Sequence, residues 1–295
     1  MEFVWQVTEE SVKLKTFLKS KGVSKKLLAK IKFHGGEMSV NDQIQNALYM
    51  VVPGDEVKIV IPDEGEHETL IPYEAPIDIV FEDDHFLVVN KPKQVASIPA
   101  QYHPVGTMAH RVKHYYNSQN YVNRVVHVVT RLDRDTTGLM LFAKHGFAHA
   151  MLDKQLQSKE LKKYYTALVS GQIDELSEKG QITLRIGRDE TSLIKRQVRE
   201  DGQEAITDYW LEEVTDTVAQ VGIQLKTGRT HQIRVHFSGV GCPLLGDSLY
   251  DGDMGLGIDR QALHCARLEF KHPFTQELIV LEAELPEDMK AVMGH

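Results

Sequence analysis

A chain of 295 residues with a formal net charge of −8 can bury a sizeable core, suggests two units, and by its average charge is not a general nucleic-acid coat. Its two cysteines, Cys242 and Cys265, lack CxxC spacing, so neither a disulfide framework nor a zinc ribbon is expected. No stretch approaches the roughly 18 apolar residues of a membrane span, and Met1 leads into a mixed segment instead of a basic stretch and an apolar run, so a cytoplasmic location is expected.

The charge is unevenly distributed. Ser11 to His34 holds eight lysines and no acidic residue, whereas the stretch from Pro62 to Asp84 is rich in acids. Leu14, Phe17 and Leu18 fall at i, i+3, i+4 and predict a first short helix; Ser24 is a good N-cap for a second, with Leu27, Leu28 and Ile31 on its apolar side. Gly35-Gly36 breaks the pattern, Met38 and Val40 alternate with polar neighbours, and Pro53-Gly54-Asp55 turns the chain into a strand at Val57 to Val60. These elements define an expected first unit, residues 1–61. Residues 62–76, with their glutamates and three prolines, read as an acidic linker, and 77–295 as the larger domain.

The larger domain opens with a predicted hairpin, Ile77 to Phe81 and Phe86 to Val89, followed by Asn90-Lys91-Pro92-Lys93. Val125 to Val129 and Leu139 to Ala143 read as buried strands around a charged loop carrying Arg131, Asp133, Arg134 and Asp135, with Gly138 at the turn into the second strand. Held between strands, such a loop can present one carboxylate against cationic partners, the arrangement a nucleophilic carboxylate needs. From composition alone a solvated turn with surface ion pairs is the commoner meaning.

Ala148, Met151, Leu152 and Leu156 mark one face of a helix, and Tyr164 to Val169 a strand that sends Tyr164 and Tyr165 to opposite faces. After the alternating run Val218 to Leu225, Gly228 marks a break. Ile233, Phe237 and Val240 then predict a helix from about Thr230 to Gly239 or Gly241, with Arg234 placed to pair bidentately with a carboxylate. Strands and helices mix without strict alternation, which predicts an α+β fold with a large, mostly antiparallel sheet in preference to a doubly wound one.

Other chemistries find little support. His231 and His236 stand at i, i+5 with no acidic or thiol companion, so no metal is expected. GxxxxGK[ST], strand-linked GxGxxG and GxSxG motifs are all absent, which argues against a nucleotide cofactor and a serine hydrolase.

Three blocks taken together, Thr130 to Gly138 (TRLDRDTTG), Lys163 to Val169 (KYYTALV) and Thr227 to His236 (TGRTHQIRVH), resemble the signature motifs of the RluA/RluD family of RNA pseudouridine synthases. Gly246-Asp247, Gln261 to Cys265 and Leu268 to Pro273 continue the similarity, which runs from Ile77 to Met289 in the family's order. The lysine-rich helices and short strands of residues 1–61 resemble the S4 RNA-binding domain. The resemblance implies the pseudouridine synthase fold with a central cleft and flanking helices, plus a small N-terminal S4-like α/β domain.

It further implies a cofactor-independent isomerisation of uridine in structured RNA, ribosomal RNA first and transfer RNA as the other candidate, by a monomer. Asp133 becomes the nucleophile, at C1′ of the ribose or C6 of the base; Arg234 its counter-charge; Tyr165 the stacking surface with a part in proton removal. Arg131 would fill the space of the flipped uridine and Ile233 would pack beneath the base. Lys25, Lys26, Lys30 and Lys32 would contact phosphates. Thr130 departs from the pattern, since the family usually has His before Arg-Leu-Asp. Two competing readings remain: a non-catalytic RNA-binding or ribosome-assembly protein retaining the fold, and a hydrolytic nucleosidase or glycosidase with Asp135 as second carboxylate.

Overall fold

The computed structural model describes residues 1–8, 10–66 and 69–294. The first unit contains β1 (Glu2–Gln6), β2 (Val12–Lys13), α1 (Leu14–Ser20), α2 (Lys25–Phe33), β3 (Glu37–Val40), β4 (Gln43–Ile44), β5 (Met50–Val51) and β6 (Glu56–Val60). Its helices follow the expected pattern: Leu14, Phe17, Leu18 and Ile31 are buried, and the Ser24 hydroxyl accepts the Leu27 amide at 3.1 Å as the cap of α2. β1, β6, β3 and β4 form one sheet under these helices.

The acidic connector makes specific contacts on both sides. Glu64 accepts from His127 Nε2 at 2.6 Å and from the Gly146 amide at 3.2 Å, and Lys30 Nζ lies 3.7 Å away. Glu66 pairs with the buried Lys113 at 3.0 Å. Glu64 therefore ties the connector both to the first unit, at Lys30, and to the larger part, at His127 and Gly146, while Glu66 holds it to Lys113. Burial opposes the charge of Glu64, but the interactions with His127, with Lys30 and with the Gly146 amide pull its pKa down to about 2. Beside this contact, Phe3 packs edge-on to Phe147 with ring centres 5.1 Å apart and stacks on Phe274, also at 5.1 Å. The two cores are continuous there.

The larger part holds β7 (Asp78–Glu82), β8 (Phe86–Lys91), α3 (Met108–Ser118), β9 (His127–Val128), β10 (Thr137–Ala143), α4 (Gly146–Gln157), β11 (Lys162–Val169), β12 (Lys179–Thr183), β13 (Ile186–Arg188), β14 (Arg196–Val198), β15 (Ile206–Val214), β16 (Ala219–Leu225), α5 (Gln232–Gly239), β17 (Leu263–Lys271), β18 (Leu278–Glu282) and α6 (Glu287–Met293). A ten-stranded sheet runs β12-β15-β16-β11-β17-β10-β8-β7, with β18 on β17 and β9 on β10. Its pairs are antiparallel except β10 with β17. At that parallel junction Gly138 has φ +106°, and a Cβ there would collide with the Cys265 backbone, so glycine is required on both counts. The expectation of an α+β fold with a large, mostly antiparallel sheet therefore holds.

Two local expectations change. Of Val125 to Val129 only β9 is strand, because the Val129 and Thr130 amides both turn onto the Leu141 carbonyl and leave the ladder. The helix expected from Thr230 starts at Gln232, because His231 takes a left-handed conformation at φ 57°. No helix among the described residues is long and apolar enough to cross a membrane.

Candidate active site

The segment between β9 and β10 and the segment leading into α5 face each other across a cleft of ≈ 550 Å³. Asp133, Arg131, Tyr165, Ile233 and Arg234 all line it, so residues more than 100 positions apart in sequence meet as expected. The α2 lysines lie on the first unit instead. Lys25, Lys26 and Lys32 are exposed, while Lys30 is half-buried against Glu64.

The Asp133 loop is braced almost entirely through its backbone. Lys91, fully buried, donates to the carbonyls of Pro92 at 2.9 Å, Val95 at 2.7 Å and Arg134 at 2.7 Å. Burial lowers its pKa to about 7, with the Asp135 and Asp133 charges opposing that shift. Ser97 Oγ donates to the Leu132 carbonyl at 2.6 Å and accepts its amide at 2.9 Å. Arg260, gripped by both oxygens of Asp288 at 2.8 Å, donates to the Asp135 carbonyl at 3.1 Å. Thr130, buried, accepts the Leu141 amide at 2.9 Å and closes the loop where the resembling family usually carries His. Such bracing positions a side chain without consuming its hydrogen-bonding capacity.

The charge around Asp133 comes from α5 and the turn beyond it. Arg234 directs Nε and Nη2 to the two oxygens of Asp247, at 2.6 and 2.7 Å, and its remaining Nη1 to Asp133 at 3.4 Å. The short bidentate pair is with Asp247, so Asp133 receives the longer contact and stays 30% exposed. The Tyr250 ring lies against the guanidinium, 4.8 Å from Cζ, and its hydroxyl meets His231 Nδ1 at 2.8 Å. His231 Nε2 is in turn 3.9 Å from Asp133. Burial lowers the His231 pKa against the opposing pull of Asp133, which favours the neutral imidazole.

Strand alternation places the tyrosines as expected. Tyr165 faces the cleft, while Tyr164 packs on Trp210 and under the Arg267 guanidinium. Burial, helped by Cys265 and Asp133, raises the Tyr165 pKa well above the usual phenol range. Lys163 stands at the cleft wall with its ammonium 6.0 Å from the centre of the Tyr165 ring. Asp135, the second carboxylate a glycosidase would need, is turned onto Arg134, with both oxygens at 3.1 Å from Nε.

Sequence reasoning assigned no role to Asp247, Tyr250, Lys91, Ser97 or Arg260, and weighed His231 only as a metal ligand. The only signals were the Gly246-Asp247 segment of the resemblance and a lysine placed before a proline at the end of an apolar strand.

The sequence profile of the family described as RNA pseudouridylate synthase matches residues 85–239. An RNA pseudouridine synthase of Bacillus subtilis, YjbO, whose name carries the word uncharacterized, is 43% identical over 272 residues, 92% of this chain and 95% of the relative. The chain belongs to the RNA pseudouridylate synthase family. The family's enzymes are isomerases, and the pseudouridine synthase fold extends to a solved human protein, RNA pseudouridylate synthase domain containing 1, with a TM-score of 0.60 at 24% identity, covering 75% of this chain and 90% of that one. The ribosomal large subunit pseudouridine synthase D of Vibrio parahaemolyticus is 35% identical over 87% of this chain and 82% of its own length.

Proposed function

We propose that the chain converts one or more uridines of structured RNA, ribosomal RNA before transfer RNA, to pseudouridine with Asp133 as the nucleophile. The observation that carries this reading is the Asp133 carboxylate, 30% exposed in the cleft and within 3.4 Å of an arginine already locked by a second carboxylate. The name of the Vibrio relative supports ribosomal RNA as the substrate class.

In this reading Asp133 attacks C1′ of the ribose or C6 of the base, the C1′–N1 bond breaks, the uracil turns within the cleft, C5 joins C1′ as the bond to Asp133 is released, and the C5 proton leaves while N1 takes one up. Arg234 orients the carboxylate, and its own direction is set by Asp247 and Tyr250. Tyr165 stacks on the uracil; its protonated phenol favours that role over that of a resident phenolate base. Ile233 packs beneath the base and Arg131, exposed at the rim, enters the space left by the flipped nucleotide. The product is an isomer of the substrate, the proton lost from C5 being balanced by one gained at N1, so the reaction calls for neither cofactor nor metal.

Residues 1–61 act as an S4-like RNA-binding domain, joined through 62–76 to the catalytic domain 77–295. Lys25, Lys26 and Lys32 contact phosphates, with Lys30 shared between RNA and Glu64. The enzyme works as a cytoplasmic monomer.

The test is tritium release from C5-tritiated uridine in RNA taken from cells lacking this gene. Wild-type protein releases tritium and Asp133→Ala does not, while both bind the RNA. Binding without release by the wild type would establish the non-catalytic reading, and free uracil as product the hydrolytic one. Mapping the pseudouridines missing from those cells identifies the RNA and the positions.

A further inference from the structure

A second groove, of ≈ 540 Å³, opens along the β13–β14 hairpin and shares Gly228, Arg229 and Thr230 with the catalytic cleft. Four arginines line it, Arg188, Arg196, Arg199 and Arg229, against two carboxylates, Glu190 and Asp201. Arg199 holds both acids: Nη1 is 2.7 Å from Glu190, while Nε and Nη2 reach Asp201 at 2.7 and 2.8 Å. The other three have no carboxylate partner among the described residues. Their side chains donate to main-chain carbonyls, Arg188 to Leu193 at 3.3 Å, Arg196 to Lys195 at 3.2 Å and Arg229 to Glu204 at 3.0 Å.

This arrangement runs against the composition. Asp and Glu outnumber Lys and Arg by 42 to 34, so unpaired guanidinium groups gathered in one groove are not what an acidic surface provides by chance. Each keeps N–H donors for an outside acceptor, and a planar fork matches a phosphate better than a neutral ligand. The groove also adjoins the cleft in which the target base would sit. Between them Gly228 is exposed, and a Cβ there would meet nothing within 4 Å, so a backbone can pass without obstruction.

We infer that the RNA strand on one side of the target uridine leaves the catalytic cleft over Gly228 and lies in this groove, its phosphates paired with Arg188, Arg196 and Arg229. The inference rests on the proposed RNA substrate and adds to it a track on the catalytic domain, independent of the α2 lysines. The contacts are to phosphate, so they set the register of the strand and contribute affinity without reading sequence.

The test uses the full chain and the same C5-tritiated RNA. Binding is measured across a salt series, and tritium release gives kcat and KM. Arg188→Gln/Arg229→Gln makes the plot of log affinity against log salt shallower by about 1.4, at roughly 0.7 per phosphate contact on a single strand. Its KM rises about tenfold, with a far smaller change in kcat. Arg188→Lys/Arg229→Lys restores most of the slope, because the charge is kept. Both side chains are exposed and bonded only to carbonyls, so the variants keep the wild-type circular dichroism. An unchanged slope and KM in the Gln variant overturn the groove assignment even when the wild type is active. Absence of tritium release by the wild type overturns the proposed function instead, and the salt slopes judge the groove separately.

Discussion

Glu64 and Asp133 are both carboxylates that meet a cation and a histidine, yet they are put to opposite uses. Glu64 is saturated: a histidine at 2.6 Å, a main-chain amide at 3.2 Å and a lysine at 3.7 Å surround it. Asp133 is held more loosely, by one long bond from Arg234 at 3.4 Å and with His231 at 3.9 Å, because Arg234 gives its short bonds to Asp247 and His231 its other nitrogen to Tyr250. A carboxylate that joins two units is served by short hydrogen bonds, here from His127 and the Gly146 amide. One that must form a bond to substrate needs partners that orient it and leave a lone pair free. The difference lies in the second carboxylate, Asp247, which has no counterpart at Glu64.

The comparison breaks most visibly at the reactive end. Asp133→Asn lowers tritium release by at least about 10³-fold, while the melting temperature stays close to the wild type, since the loop is held by its backbone and not by this side chain. If the Asp133→Asn variant released tritium at the wild-type rate, Asp133 would be another structural carboxylate like Glu64.

Removing the partner of the partner comes next. Asp247→Ala leaves a buried guanidinium with one long contact, and denaturant unfolding records a loss of about 3–5 kcal/mol. The freed arginine swings toward Asp133, so activity falls by about 10²-fold with the geometry. A variant with full stability and full activity would mean that Asp247 does not position Arg234.

The joining end is sensitive to acid. Burial lowers the His145 pKa to about 3, and its Nε2 lies 3.0 Å from His85 Nδ1 beside the stacked phenylalanines. A depressed histidine contributes stability that is full above its unfolded pKa of about 6.5 and is lost as pH falls toward 3, with a limiting slope of about 1.4 kcal/mol per pH unit. Glu64, depressed to about 2, adds a loss that starts below its ordinary value of 4.5. Unfolding measured from pH 7 to pH 4 therefore shows a steady decline, and His145→Phe, which keeps the ring packing, flattens its upper part. An equal slope in that variant would assign the decline elsewhere.

The smallest effect is at Glu64 itself. Glu64→Gln keeps the shape and loses charge-assisted bonds, costing about 1–3 kcal/mol in unfolding, with kcat unchanged. A fall in kcat as large as that of Asp247→Ala would show that docking of the first unit feeds into the cleft.

Much of this was legible beforehand, for reasons that differ by element. α1 and α2 follow from apolar spacing and one serine cap, both local properties of the chain. β10 follows from an apolar run buried on both faces, and the opposite sides of Tyr164 and Tyr165 from the pleat. Val125 to Val129 was overread as strand because β-branched residues report only a preference. Whether their amides join a ladder was decided by the Leu141 carbonyl, far along the chain. Composition marks the acidic stretch as a linker but does not show that a histidine and a helix start stand opposite Glu64.

Periodicity and motif are carried by neighbours in the chain, and they were enough for the fold class, the family and the residues gathered around the cleft. Which contacts those residues make was settled only on folding. The folded chain assigns Arg234 first to Asp247 and only then to Asp133, places Lys91 under the loop as a donor to three carbonyls, and leaves three arginines of the second groove without acids. A side chain's charge is written in its residue type, but its partner is set by distance, and distance across 101 residues exists only once the chain has folded.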